Sequence, residues 1–203
     1  PPPPPPPPPP PAQPPPSHRT HHHQVIHPMT IAEVATPLQD LKQMTHHMPS
    51  DLDMGWCASL QHCFLIRDPA QVIASYVKKM PSVSEEAIGI RRQDEIFRQV
   101  RAVTGITPAV IDSNDVLKNP KKILGELCSY LEIDFPEEQM LHWPAGRRDS
   151  DGVWAHHWYH DGEQSTGCGE YQEKTLTLSD EHQALAEAMQ PYYDEMAEHR
   201  ILP

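Results

Sequence analysis

Arg67, Asp68, Pro69 and Ser75 stand where a strand hands the chain to a helix, and that arrangement suits an anion. His62-Cys63-Phe64-Leu65-Ile66 is a short apolar run that reads as a buried strand, with Arg67 at its end. Asp68 then Pro69 is a helix start: a side-chain cap followed by a residue whose φ is already helical. The spacing predicts a helix through Lys79, with Val72, Ile73, Tyr76 and Val77 on its inner face. Orphan N–H groups and the helix dipole favour negative charge at such a mouth, and the arginine adds to it. Ser75, about two turns further on, brings a hydroxyl near the same face. An ordinary βα turn with a surface arginine is the plain alternative.

Alternating strands and helices must position these groups. Leu38, Leu41, Met44 and Met48 space like one apolar face, and Pro49 to Asp53 reads as a turn. A helix is expected over Glu85 to Val103, with Ile96, Val100 and Val103 inward. Pro108 to Ile111 reads as a second short buried strand. Pro120 opens a helix through Leu131, burying Ile123, Leu124, Leu127 and Cys128. Asp180 to Glu198 is a last amphipathic helix that uses Leu185, Ala188, Met189, Tyr192 and Met196. This order defines an α/β fold with a parallel sheet.

Composition bounds the function. A chain of 203 residues can hold one domain. Its formal charge of −12 argues against a general nucleic-acid binder, although Arg67, Lys78, Lys79, Arg147 and Arg148 supply local cations. Cys57, Cys63, Cys128 and Cys168 lack metal-type spacing and read as reduced thiols, which fits a cytoplasmic location. No apolar stretch is long enough to span a membrane, and no secretory signal is visible. Pro1 to Pro11 is an unbroken proline tract that lacks N–H donors, so it predicts an exposed polyproline II rod. A polyproline-binding adaptor is the partner such a rod would suit. The histidines at 18, 21, 22, 23 and 27 follow, and no second set of ligands at structural metal spacing accompanies them. Residues 1–37 are therefore expected to be a disordered Pro/His-rich tail, and residues 38–203 an α/β domain.

The segment from Arg67 to Ser75 resembles the 3′-phosphate-binding segment of sulfotransferases that use 3′-phosphoadenosine 5′-phosphosulfate (PAPS). In that family an Arg opens the motif, a Pro follows two residues later and a Ser comes eight after the Arg. Ile111 to Pro120 resembles the family's strand end before a Pro-initiated helix; Ser113 and Asn114 replace its usual Tyr-Glu, and Asp115 is kept. Arg147-Arg148-Asp149-Ser150-Asp151-Gly152-Val153-Trp154-Ala155-His156-His157-Trp158 resembles the late loop that closes over the nucleotide, with Asp149 where the family has Gly. Lys42 to Pro49 resembles the segment that carries the catalytic His. The match is closest to a bacterial-type subgroup, also found fused to aminotransferase-like domains, and covers about Leu41 to Arg200.

The resemblance implies a fold like that of P-loop NTPases, a parallel sheet flanked by helices, and transfer of a sulfuryl group from PAPS to a hydroxyl or amine. It implies that Arg67, Ser75, Arg147, Arg148 and Gly152 bind the nucleotide. It also implies that His46 or His47 takes the acceptor's proton, since a neutral alcohol is a poor nucleophile. The acceptor is an unspecified small molecule. The family's 5′-phosphosulfate loop needs glycine for close backbone approach, and no glycine precedes Gly55 here. The first βα unit is therefore expected to be absent, giving an N-terminally truncated form of the fold. Two readings from other classes stay open: a non-catalytic remnant that keeps nucleotide affinity, and a protein-interaction module. A P-loop kinase is a weaker rival, since no phosphate loop or Mg²⁺-binding partner is evident.

Overall fold

The computed structural model describes residues 38–80, 82–146, 160–173 and 175–203. Its compact unit runs from Lys42 to Pro203. Among the described residues, two strands form a parallel pair: β1 (Cys63–Ile66) and β2 (Ala109–Asp112). Cys63 registers with Ala109 and Ile66 with Asp112. The chain end extends this pair, because Arg200 bridges Val110 in parallel and the Ile201 N–H donates to Val110 O at 2.9 Å.

β1 leads into α1 (Pro69–Tyr76), and α2 (Glu85–Ile88) and α3 (Ile90–Thr104) return the chain to β2. After β2 come α4 (Ser113–Lys118), α5 (Pro120–Tyr130) and α6 (Glu137–Leu141). The short α7 (His160–Gln164) and the long α8 (Asp180–Ala197) follow among the described residues. The expected architecture, a parallel sheet flanked by helices, is present in this small form.

Strand alternation sorts the core into two faces. Phe64, Ile66 and Val110 face α3 and α8, where they meet Phe97, Met196 and Ala197. Ala109 and Ile111 face the other way and pack on Ile123 and Leu127 of α5. A third cluster seats the segment before β1 on α3, through Met48, Met54, Cys57, Ile96 and Val100. Burial in this cluster pushes the Cys57 thiol up to about 11, and Asp53 adds to the effect. All four cysteines are thiols.

Several expectations need correction. β1 is not wholly buried: Leu65 is 59% exposed, because α5 covers Ala109 and Ile111 one strand over. The first helix stops at Tyr76 rather than Lys79. Its exit runs into Met80-Pro81, and a residue before proline disfavours helical geometry. The helix expected over Glu85 to Val103 is broken at Gly89, whose φ of +67 ends α2 before α3 begins. Val103 is half-exposed, not inward. Ala186, not Ala188, is buried on α8. Leu38, Leu41, Met44 and Met48 do not share one buried face: Leu38 and Met44 are exposed and Met48 is buried, with Thr45–His47 a single 3-10 turn between them.

Candidate functional site

Both strands end beside groups that can do chemistry. At the end of β1, Asp68 caps α1 by accepting the Gln71 N–H at 3.0 Å, and Pro69 fills the first helical position. Arg67 is half-buried there, and its Nε donates to Gln71 Oε1 at 3.2 Å. That bond uses Nε, so the two Nη groups are not spent on it. Ser75 is exposed one helical step of four beyond Gln71. Arg67, Gln71 and Ser75 thus form one polar line leading away from the mouth of α1.

At the end of β2, Asp112 is almost fully buried (2% exposed). Its Oδ1 accepts the N–H groups of Asn114 and Asp115 at 2.7 and 3.3 Å, which starts α4. Its Oδ2 accepts the Tyr193 hydroxyl at 3.0 Å. Burial pushes the Tyr193 phenol well up, and the Asp112 carboxylate adds to this. Arg200 offsets part of this rise, and Asp68 adds the smallest push upward. Asp115 accepts from Lys118 Nζ at 2.9 Å and from Arg200 Nε at 3.0 Å. The Ser113 Oγ is buried without a hydrogen-bond partner among the described residues.

The two histidines lie on a different element. The turn Thr45–His47 precedes β1, and both imidazoles are exposed. The rings meet edge to face with centroids 4.3 Å apart. The Met44 N–H donates to His47 Nδ1 at 3.3 Å. Partial burial lowers the His47 pKa, and His46 lowers it further by repulsion between the two cations. His47 is therefore more readily neutral near pH 7 than an isolated imidazole, which is the form a proton acceptor needs.

One helix supports both parts. Gln93 of α3 donates to Leu65 O at 2.9 Å, holding the strand that delivers Arg67. Its neighbour Arg92 donates to Met48 O and Pro49 O, holding the turn that carries the histidines. Sequence reasoning missed Gln71, Arg92, Gln93 and Tyr193. Only Gln71 had a local signal, its spacing of four from both Arg67 and Ser75. Arg147, Arg148 and Gly152 lie outside the described residues. An open depression between α5 and α6, lined by Lys121, Lys122, Phe135 and Glu137 among others, includes none of the candidate residues.

A strand–Arg–capped-helix junction thus stands beside a second strand end, and an imidazole pair lies on a turn that precedes the first strand. The family model described as "Sulfotransferase domain" matches residues 18–200. The chain belongs to this sulfotransferase-domain family. It is also similar to two proteins of Arabidopsis thaliana. Branched-chain-amino-acid aminotransferase-like protein 2 is 33% identical over 153 residues, which is 75% of this chain and 26% of that protein. Branched-chain-amino-acid aminotransferase-like protein 1 is 33% identical over 158 residues, 78% of this chain and 27% of that protein. The chain thus spans about a quarter of the length of these relatives. No solved structure gives a significant match. Among the described residues, no helix is long and apolar enough to cross a membrane.

Proposed function

We propose that this chain binds the nucleotide of PAPS and takes part in transfer of its sulfuryl group to a hydroxyl or amine of a small molecule. Arg67 would hold the 3′-phosphate together with the Ser75 hydroxyl, and Arg147, Arg148 and Gly152 would close over the nucleotide. The observation that carries this reading is the Arg67–Gln71 bond at the mouth of α1, which fixes a cation where a helix N-terminus already favours an anion. A phosphate fits that chemistry, since guanidinium offers a planar fork to its oxygens. PAPS would supply the activated sulfuryl group, and His46 or His47 would accept the proton released by the acceptor.

A second reading, nucleotide binding without catalysis, is favoured by one observation: the His46–His47 turn is exposed and lies on a different element from the Arg67 junction. Calorimetric titration with 3′-phosphoadenosine 5′-phosphate tests the shared core of both readings. Saturable binding that Arg67→Ala weakens supports them, and no saturable binding removes both. Binding without sulfuryl transfer from PAPS selects the second.

A further inference from the structure

The turn that carries His46 and His47 is held to the body of the protein at three points. Met48, the residue after the pair, is buried against Ile96 and Val100 of α3. Thr45, the residue before it, lies against Gly89 so closely that its Cβ would come within 3.0 Å of any Cβ placed there. The third point is a guanidinium. Arg92 Nε donates to Met48 O at 2.8 Å and its Nη2 donates to Pro49 O at 2.9 Å. Its Nη1 donates to Glu95 Oε2 at 3.0 Å, and the side chain is only 18% exposed.

This geometry has a specific consequence. The Met48 carbonyl closes the 3-10 turn, and one fork can hold it together with the next carbonyl, that of Pro49, which also accepts the Leu52 N–H at 3.2 Å. Charge-assisted bonds of this kind are roughly twice as strong as neutral ones. Two carbonyls held by one planar group fix the orientation of the peptide planes as well as their distance. The His47 N–H donates to Met44 O at 2.8 Å and the Met48 N–H to Thr45 O at 3.0 Å, so the turn moves as one piece. The two rings touch, so a change in the backbone of one displaces both.

We propose that Arg92 is a positioning residue for the His46–His47 pair: its fork on Met48 O and Pro49 O sets where both imidazoles stand. As a role in catalysis this rests on the sulfuryl-transfer reading above; as a structural role it does not.

The full chain tests both levels. The ring Cε1–H signals of His46 and His47, identified through His46→Gln and His47→Gln, are followed by NMR in the parent, Arg92→Leu and Arg92→Lys. In Arg92→Leu both signals should move to the positions of a free histidine, while the Phe97 ring signals of the core stay in place. Arg92→Lys, which keeps the charge and can reach one carbonyl, should move them part of the way. If the leucine variant does not fold, the lysine variant carries the test. Unmoved histidine signals in a folded variant overturn the proposal. In turnover assays Arg92→Leu should lower kcat about tenfold to a hundredfold, with KM for PAPS within twofold, as misplacement of a reacting group requires. An equal fall in a control, Arg91→Gln on the same helix, would point to general damage and overturn it too. Moved signals in a parent chain that transfers no sulfuryl group would keep the structural role of Arg92 and remove the catalytic reading.

Discussion

The Tyr193 hydroxyl donates to Asp112 Oδ2 at 3.0 Å, joining α8 to the end of β2 across 81 residues of sequence. The other oxygen of the same carboxylate caps α4. One buried acid therefore ends a strand, starts a helix and anchors the last helix. Tyr193→Phe removes the donor and leaves a buried carboxylate oxygen short of a partner. It should cost about 1–3 kcal/mol in urea unfolding. Asp112→Ala should cost more, because the cap goes as well. The two losses should be less than additive in the double mutant; full additivity would mean the bond contributes nothing.

Asp115 makes stability depend on pH. Its burial alone would raise the carboxyl, but the hydrogen bonds from Lys118 and Arg200 outweigh it and hold the pKa below the ordinary value. Such a group contributes stability above its unfolded pKa of about 3.9 and loses it as pH falls through the lower folded value. Asp115→Asn should therefore lower stability at pH 7 and flatten the acid limb below about pH 4. Parallel unfolding curves for the parent and Asp115→Asn from pH 7 to pH 3 would contradict the assignment.

Gln71 should govern the affinity of Arg67 for phosphate. Gln71→Leu frees the guanidinium and should weaken binding of 3′-phosphoadenosine 5′-phosphate several-fold. Gln71→Glu should weaken it more, because a carboxylate competes with the phosphate for the same cation. Arg67→Ala should cost about tenfold to a hundredfold, the worth of a charged hydrogen bond. Calorimetry ranks the three; a Gln71→Glu variant that binds as tightly as the parent breaks the assignment.

Gly89 and Gly105 form a natural comparison. Both have positive φ, +67 and +71. A Cβ at Gly105 meets nothing within 4 Å, whereas one at Gly89 collides with Thr45. Gly105→Ala should cost about 1 kcal/mol from backbone strain alone. Gly89→Ala should cost clearly more, and Thr45→Ala should recover part of the excess. Equal thermal shifts for the two alanine variants would show that the histidine turn does not press on Gly89.

Local signals carried most of the elements that could be read in advance. Asp68-Pro69 and Asn119-Pro120 mark helix starts within a residue or two, because capping and the fixed φ of proline act between neighbours. The runs of β1 and β2 were legible as strands by their apolar composition, although only β2 is buried throughout. The break at Gly89 had a signal too, since Ser84 caps α2 and glycine ends it, but the apolar period running through to Val100 hid it. Arg67 and Ser75 were legible as candidates by type and spacing.

Which side of an element meets the core was another matter. The exposure of Leu65 and Val103 and the choice of Ala186 over Ala188 depend on what packs opposite. The same is true of the polar framework. Arg200 reaches Asp115 across 85 residues and Arg92 reaches Met48 across 44. A side chain's reach for a distant carbonyl or carboxylate leaves no periodic trace in the residues around it. Sequence alone determined where the strand hands over to the capped helix, since the Asp68 cap, the fixed φ of Pro69 and the Arg67–Gln71 bond all act between neighbours. The tertiary fold decided which carboxylate is buried, which guanidinium holds the histidine turn and which strand face stays open, since each needs two remote segments brought to within hydrogen-bonding or van der Waals distance.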